Sequence, residues 1–550
     1  MKRFPNRWRA LPAAAAIGLL ALCAAASGQE RPVVSARSGQ QHVRELPAPT
    51  EGGIRLSLDQ AIGLALANNQ DLNVTVNAAE STRFSLFQTQ GIYDPLLTAA
   101  ISRSHTEQPA TSALTGAAVN TTDSTDGRSQ ISQLAPTGGV FALGFTANRT
   151  TNNSSFNIVN PSYSSGLLLS MNQPLLRNFG VKATTWLIRI ARNTRDSSYQ
   201  DFVRSVQTAV NSVEQAYWDL SYAIQNLEVK KESLRIAQDL NRITRIKIDV
   251  GSLAPIEITQ TEVGIATAEQ DIITAEGLIG DAQDRLTRLL NVDPVRWSTT
   301  PIVPTDEVRG QDVQVQVEDG TKTALARRPE ILSLAYFVDS DEIRYGYYKN
   351  QVLPGLNLTA SYGNPGIGGT THDPTTGAIL STGNFGDAFQ QVIDRKFKNW
   401  SVGLNFSYPI LNRAARGAFG AAKYVWESDK ARLTTTEQNI VVEVRAAARA
   451  IDTARRSIVA ASKGRELAEK NLDAVKKKYD NGMSTSFEVT QIQRDLSVAR
   501  TVELQALAVY RKALAAYHFA TADNLDWKGV QVEGLPETTP PLTGIAAERR

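Results

Sequence analysis

The sequence predicts an exported α+β membrane protein whose chain is an internal duplication, with long helices and short amphipathic strands in each half. Three observations predict this class. The N-terminus carries an export signal, one helix–turn–helix sequence occurs twice, and helices and strands follow one another in the same order in both halves. The 550 residues are therefore interpreted as one large repeated unit.

The first 26 residues indicate a secretory signal peptide. Lys2, Arg3 and Arg7 precede an apolar run that ends in small residues. An anchoring helix is the weaker interpretation, because the run is short and rich in alanine. Cys23 is the only cysteine, and a lipid anchor on it is an open alternative, although Leu22 is larger than is usual there. No later run reaches about 18 consecutive apolar residues, so no spanning helix is expected after the signal.

The rest of the chain is a duplication. The segment "IDVGSLAPIEITQ" at 248–260 corresponds to "YDNGMSTSFEVTQ" at 479–491, and "ALANNQDL" from Ala65 corresponds to "ALARRPEI" from Ala324. Each half has the order helix, strand, loop, strand, long helix, turn, helix. The predicted divisions are a signal at 1–26, an irregular segment at 27–53, a first repeat at 54–304, a linker at 305–319, a second repeat at 320–524 and an irregular tail at 525–550.

The long helices are predicted from heptad spacing. From Val203 to Leu227 apolar residues alternate at intervals of three and four, and alanines form a second stripe beside them. Two stripes indicate neighbours on two sides, whereas a simple two-stranded coiled coil needs only one. A helix of about 68 residues is roughly 100 Å long, so two shorter helices could stack end to end along it. The predicted helices are 58–90, 183–250, 255–291, 320–350, 416–480 and 486–521.

Four short strands are predicted from alternating apolar residues, two in each half. They begin near Leu97, Leu167, Leu356 and Ser401, and each has the length of a tilted membrane-spanning strand. A half-buried soluble sheet would also alternate, but export and long rods at the strand bases favour an outer-membrane barrel. The Gly/Thr/Ser/Asn-rich stretches 104–128, 149–165 and 363–397 are predicted to be exposed loops. One further strand within 136–150 has no predicted place.

Composition and motifs give no support to several other functions. The net charge of +3 gives no reason to expect nucleic acid as a partner. The four histidines have no metal-ligand spacing, and no phosphate loop or nucleophile elbow occurs. The glycine-rich segment 363–377 does not lead from a strand into a helix, so it fits an external loop. We therefore predict no catalytic residue, no cofactor, no metal and no enzymatic activity.

The repeated turn gives the chain a family resemblance. With the signal, the duplication and the paired strands, Tyr479 to Gly482 and its counterpart Ile248 to Gly251 make residues 54–524 resemble the TolC family of bacterial outer-membrane efflux proteins. The resemblance implies a homotrimer in which four strands per subunit close a twelve-stranded barrel, continued by an α-helical tunnel into the periplasm. Four strands alone cannot close a barrel, so association is expected in any case, although two or four copies would also satisfy this requirement.

The resemblance also implies a function and its site. Such a channel lies in outer-membrane lipid, docks with a periplasmic adaptor and an inner-membrane transporter, and exports small molecules or proteins. Glu257 and Glu488 would lie at the periplasmic aperture, with Gln491 where an acidic residue is expected. The turn residues that would contact the adaptor are Gly251, Ser252, Leu253, Gly482, Met483 and Ser484. Helix capping explains both glutamates equally well, through Pro255 before Glu257 and a capping box from Thr485 to Glu488. A trimeric coiled-coil surface protein resembling an adhesin, without transport, is the alternative function.

Overall fold

The computed structural model describes residues 33–36, 53–110, 118–154, 157–291, 301–306, 315–373 and 375–533. Helices within these ranges are α1 (Leu58–Asn68), α2 (Gln70–Gln90), α3 (Val181–Thr184), α4 (Trp186–Asp249), α5 (Ile256–Leu290), α6 (Val317–Arg327), α7 (Pro329–Gln351), α8 (Phe385–Ile393), α9 (Arg413–Asp480), α10 (Ser486–Thr521) and α11 (Asn524–Trp527). The strands are β1 (Val33–Ala36), β2 (Ile54–Leu56), β3 (Leu96–Pro109), β4 (Val119–Leu134), β5 (Val140–Asn152), β6 (Val159–Pro174), β7 (Ile302–Pro304), β8 (Gly355–His372), β9 (Ile379–Ser381), β10 (Asn399–Ser407) and β11 (Val530–Glu533).

The long helices lie where the heptad pattern predicts them, and each packs on the shorter helices of its own half. Helix α4 contacts α1, α2 and α5, and α9 contacts α6, α7 and α10. Two predicted helices are each divided in two. Asn69 ends α1 with ψ at 120° and caps α2, accepting from the N–H of Asp71 at 2.8 Å. Its duplicate Arg328 also has ψ at 120° and precedes Pro329, which lacks an N–H to continue the helix.

The heptad seam of α4 is the centre of the first hydrophobic core. Val206, Val210, Val213 and Leu220 are buried, and they pack with residues of α1 and α5. An equivalent cluster in the second half joins α9 to α6, α7 and α10. Both long helices therefore bury the stripes that the sequence predicts, each against several neighbours rather than one.

The main sheet corrects the predicted number of strands. Its long strands follow the order β10, β8, β6, β5, β4, β3, and every neighbouring pair is antiparallel. Six strands replace the expected four, because β4 begins inside the stretch 104–128 and β5 is an additional strand, while β3, β6 and β8 each extend into a stretch predicted to be a loop. The unplaced strand is β5, which lies between β4 and β6. The stretch 363–397 also contains β9 and the helix α8.

Short strands join the ends of the repeats. Strand β2 pairs in parallel with β7, and β1 pairs antiparallel with β11. The two end segments, predicted to be irregular, thus contain a two-stranded sheet and the short helix α11. The hydroxyl of buried Tyr217 donates to Leu56 O at 3.0 Å and lies 2.5 Å from Asp306 Oδ2, so α4 holds the β2–β7 pair in place.

The two faces of the main sheet differ in polarity. Register pairs Phe145 with Leu167 and Leu143 with Leu169, so these four side chains share one face; in the single chain the three leucines are exposed and Phe145 is half-buried. The opposite face carries mainly Ser, Thr, Asn, Gln and Gly. Four strand ends connect to the helices α2, α4, α7 and α9, and all four lie at the same end of the sheet. Separately, none of the described helices is both long enough and apolar enough to cross a membrane.

Candidate functional site at the helix tips

Both long helices end in the same glycine turn. Gly251 and Gly482 have φ of +75° and +74°, the left-handed region in which a side chain is strained. Each turn contains the two hydrogen bonds of a Schellman motif. They are Ser252 N–H to Lys247 O at 2.8 Å and Gly251 N–H to Ile248 O at 2.8 Å in the first hairpin, and Met483 N–H to Lys478 O at 2.8 Å and Gly482 N–H to Tyr479 O at 3.1 Å in the second. The duplicated sequence therefore gives a duplicated turn.

The helix that follows the second turn has half of the predicted capping box. Thr485 Oγ1 accepts from the Glu488 N–H at 3.3 Å, as expected for an N-cap. The Glu488 carboxylate does not return to the Thr485 backbone; it accepts from Ser484 Oγ at 2.7 Å. Glu488 is exposed, so its charge faces solvent in the single chain.

Glu257 makes a contact with the other hairpin that its position in the sequence does not predict. Its carboxylate accepts from the N–H of Ser486 at 3.1 Å and also from the Ser486 hydroxyl. Ser486 is the first residue of α10 and is completely buried. Glu257 therefore caps the helix of the other hairpin, where a negative charge is stabilised by the free N–H groups and the helix dipole.

Lys247 makes the complementary contact at the other end of the turn. Its Nζ donates to Tyr479 O at 2.7 Å, lies 4.1 Å from the centre of the Tyr479 ring, and is 3.7 Å from Asp480 Oδ1. Tyr479 O is one of the last carbonyls of α9, where a cation is favourable. The first hairpin thus supplies an anion to one helix end of the second hairpin and a cation to the other. We call Lys247, Glu257, Tyr479 and Ser486 the tip joint.

Tyr479 forms the apolar part of the tip joint. Its ring is buried with Leu240, Val475 and Val489, and its hydroxyl lies 2.6 Å from Thr244 Oγ1. Burial raises the pKa of Tyr479, so the hydroxyl keeps its proton. Sequence reasoning singled out Tyr479 as a turn signature but missed Lys247 and Ser486, since contacts more than two hundred residues apart leave no spacing signal.

The structure separates the three predicted aperture residues. Glu257 is half-buried within the tip joint, whereas Glu488 and Gln491 lie on the exposed face of α10. The amide of Gln491 donates to Asp495 Oδ1 at 3.2 Å. A carboxylate therefore lies one helical turn after Gln491, the position where the family resemblance led us to expect an acidic residue. Glu488 and Asp495 are the acidic groups of this exposed face.

The predicted turn residues fall into two groups. Gly251, Ser252, Gly482 and Met483 are exposed, with Met483 at 75%. Leu253 and Ser484 are half-buried, and Leu253 packs against the cluster around Tyr479. Further apolar side chains are exposed at the same end of the molecule, and these are Val250, Ile256 and Phe487. Among the described residues, no group of three or more His, Cys, Asp or Glu is placed to hold a metal ion.

Comparisons with known proteins give the same architecture. The chain is 22% identical over 206 residues to the toxin and drug export protein A of Aggregatibacter actinomycetemcomitans, covering 38% of this chain and 42% of that protein. It is 21% identical over 355 residues to the outer membrane efflux protein BepC of Brucella suis, covering 62% and 68%. The Campylobacter jejuni CmeC outer membrane channel superposes with a TM-score of 0.61 at 18% identity, over 87% of this chain and 90% of that one.

An antiparallel sheet with one apolar face, joined at one edge to helices about 96 Å long, defines a subunit of an outer-membrane channel with a helical extension. The chain belongs to the outer membrane efflux protein family, whose model matches residues 140–292 and 321–521. It is therefore an outer-membrane efflux channel and not an enzyme, which confirms the resemblance to the TolC family and removes the adhesin-like alternative.

Proposed function

We propose that three copies of this chain form one continuous exit duct that docks with a periplasmic adaptor and an inner-membrane transporter. The observation that carries this proposal is the open sheet. Strands β3 and β10 are its two edges, and they run in opposite directions because all six strands alternate. An unpaired edge tends to find a partner strand. The β10 edge of one copy can therefore pair antiparallel with the β3 edge of the next.

Closure by three copies gives a wider barrel than the resemblance implies. Three sheets of six strands make eighteen strands, an even number as antiparallel closure requires. The two additional strands per chain come from the β4–β5 hairpin, while the helical part keeps its usual elements. Because barrel diameter grows roughly linearly with strand number, the exit is about one and a half times as wide as a twelve-stranded barrel.

Mass measurement and crosslinking test this assembly. The mass in detergent should correspond to a trimer, and a monodisperse monomer would contradict the proposal. Cysteines introduced at Ala100 of β3 and Gly403 of β10 lie at similar heights above the helical edge, on the polar face. Mild oxidation should link the double variant into covalent dimers and trimers. Either single variant is the control and should remain monomeric after denaturation.

The tips are the proposed docking and closing end. They lie a whole length of α4 from the sheet, so a barrel in the outer membrane places them deep in the periplasm. Exposed Val250, Ile256, Met483 and Phe487 offer an apolar surface there. We expect Met483→Asp with Phe487→Asp to abolish crosslinking to the adaptor while conductance in bilayers persists. The matched control is Val459→Asp, an exposed apolar residue about two thirds of the way along α9 and remote from the tips.

Glu488 is the proposed charge of the aperture. Three copies would place three Glu488 carboxylates around a narrow axis, where fixed negative charge favours cations. Bilayer recordings of Glu488→Gln should show weaker cation selectivity and weaker block by divalent cations. Glu276→Gln, the same charge change on the exposed middle of α5, should behave as wild type. Equal selectivity in both variants would refute a role of the Glu488 charge at the aperture.

A further inference from the structure

Helix α8 has a place in the fold that channel formation does not explain. The chain between β8 and β10 turns back and lays α8 against the main sheet, in contact with β8 and β6. The helix has a capping box in which Asn384 and Asp387 satisfy its first N–H groups. The segment is therefore a capped helix and not an irregular loop.

The sheet is shaped to receive this helix. A Cβ atom on Gly366 would lie 2.0 Å from Ala388 O, and one on Gly368 would lie 2.5 Å from Asn384 O, so only glycine allows the helix to come this close. The Gln391 amide accepts from the Ile367 N–H at 3.1 Å and donates to Ile367 O at 2.8 Å. It thereby replaces the neighbouring strand that β8 lacks above β10.

Helix α8 lies on the apolar face of the sheet. Phe389 packs edge-to-face on Phe145 with ring centres 5.9 Å apart, and Phe145 shares its face with Leu167. Gly366 pairs with Ser165, two residues along β6 from Leu167, and therefore faces the same side. In a membrane barrel the apolar face is the one that contacts lipid. The helix is thus on the outside of the barrel wall.

Its height coincides with the end of the apolar band. On β3 the band ends at Ile101, which is 82% exposed, and the next residues on that face are Arg103 and His105. On β6 it ends at Leu167, and Ser165 and Tyr163 follow. Because α8 sits over Ser165 and reaches down to Phe145, it lies where hydrocarbon gives way to headgroups on the side remote from the long helices.

The exposed surface at this height combines apolar and basic groups. Phe389, Ile393 and Phe397 are 41%, 57% and 46% exposed. Three cations, Arg395, Lys396 and Lys398, follow α8 directly and are all exposed. Within the described part of the chain none of the three is in an ion pair, and the nearest acidic side chain in sequence, Asp394, accepts instead from Gln390 at 2.9 Å.

We propose that α8 and the turn Arg395–Lys398 form an interfacial anchor that binds the phosphate groups of phosphorylated lipid in the outer leaflet. The apolar side chains enter the acyl boundary, and the three cations lie at the level of the phosphates. An amphipathic helix with cations beside its apolar face is the arrangement that binds an anionic membrane surface. The anchor fixes the height of the barrel in the membrane. It rests on the outer-membrane location of the channel but not on adaptor docking or on the aperture.

Lipid binding to the purified full-length channel tests this inference. Diphosphoryl lipid A is titrated into the protein in neutral detergent, and bound lipid is counted by native mass spectrometry. Replacing all three cations (Arg395→Gln, Lys396→Gln and Lys398→Gln) should weaken binding by at least about tenfold, since each cation near an anionic surface contributes severalfold. The matched control replaces three exposed arginines of α9, and these are Arg445, Arg449 and Arg456. This control should bind like wild type.

A second variant tests the packing of α8 on the sheet separately from the three charges. Gly366→Val keeps all three cations but leaves no room for α8, so it should also bind lipid A weakly while conductance shows that the channel remains intact. The anchor would be refuted if either variant bound like wild type. Equal binding of dephosphorylated lipid would refute recognition of phosphate. Loss of lipid binding in the presence of millimolar inorganic phosphate would refute a lipid site in favour of a site for free phosphate. Conductance that is retained while lipid binding fails would leave the proposed channel function unaffected.

Discussion

Replacing Glu257 by alanine should loosen the tip joint by an amount that the structure allows us to calculate. Ser486 is completely buried, and the substitution removes the acceptor of its N–H, while its hydroxyl keeps only the longer contact to Gln260 Oε1 at 3.4 Å. A buried donor left without a partner costs about 1–3 kcal/mol. Loss of a negative charge at a helix N-terminus costs a further 0.3–1 kcal/mol or so. Local opening of the joint should therefore become easier by about 2 kcal/mol, a factor of roughly 30.

Hydrogen exchange measures this opening directly. The Ser486 amide should exchange about 30-fold faster in Glu257→Ala, with a smaller increase in Glu257→Gln, since glutamine can still accept one hydrogen bond. The control is Glu262→Ala on the same helix, whose carboxylate forms only an exposed ion pair with Arg245 at 3.1 Å. Such a pair is worth about 0–1 kcal/mol, and its loss should leave the Ser486 amide unchanged. Equal exchange in Glu257→Ala and wild type would refute the capping role of Glu257.

Three further outcomes follow from the same contacts. Gly482→Ala should destabilise the turn by about 1 kcal/mol through its φ of +74° alone, because open space surrounds the new Cβ. Gly277→Ala inside α5 should instead stabilise the protein, because alanine favours the helix, and thermal melts measure both changes. Burial, reinforced by the hydrogen bond to Asp306, raises the pKa of Tyr217 above 10.0, so its contribution to stability is complete below pH 10 and is lost as pH rises toward the folded pKa. Tyr217→Phe should lower the thermal midpoint at neutral pH and flatten this alkaline dependence. Epitope tags inserted after Ala110 or Thr376 should be labelled on intact cells, whereas a tag after Ser252 should not; labelling of the latter would invert the topology.

Sequence patterns predicted the helices well because their packing is periodic. The bounds of α10, Ser486–Thr521, are those predicted, and the seam from Val206 to Leu220 is buried as expected. The breaks at Asn69 and Arg328 were missed, and so was the short helix α8 within a predicted loop. Each break is a single extended residue, which a window of many residues does not resolve.

The strands were predicted only where one face is apolar. Leu97 and Ile101 gave the lower part of β3 an alternating pattern, but the segment from Thr121 to Asp126 in β4 is polar on both faces. Above the apolar band both faces of a barrel strand meet polar surroundings, so the alternation disappears and the sequence resembles a loop. Strand β4 was missed for this reason, so the strand predicted within 136–150 had no partner and the number of strands came out too low.

The tip joint forms between the two hairpins of one chain, and the sequence does not allow the same contacts between neighbouring copies. In the proposed trimer, the second hairpin would also face the first hairpin of the next copy, with Glu488 and Lys478 in the positions of Glu257 and Lys247. The residue that Glu488 would have to cap is different, however, because Pro255 of the first repeat corresponds to Ser486 of the second. Pro255 has no N–H to donate, so Glu488 has no helix end of this kind to cap.

The same asymmetry holds for the apolar half of the joint. Tyr479 corresponds to Ile248, and its hydrogen-bonding partner Thr244 corresponds to Val475, so no hydroxyl pair can form between copies. The contact within each chain is thus polar and specific, whereas the contact between copies in the proposed trimer would lack these bonds and form the weaker seam. Glu257→Gln should therefore increase amide exchange at Ser486. Glu488→Gln should leave that exchange unchanged and alter only cation selectivity, because its charge is free to face the passage. Faster exchange at Ser486 in Glu488→Gln would show that both glutamates hold the tips together, and would place the weaker seam elsewhere.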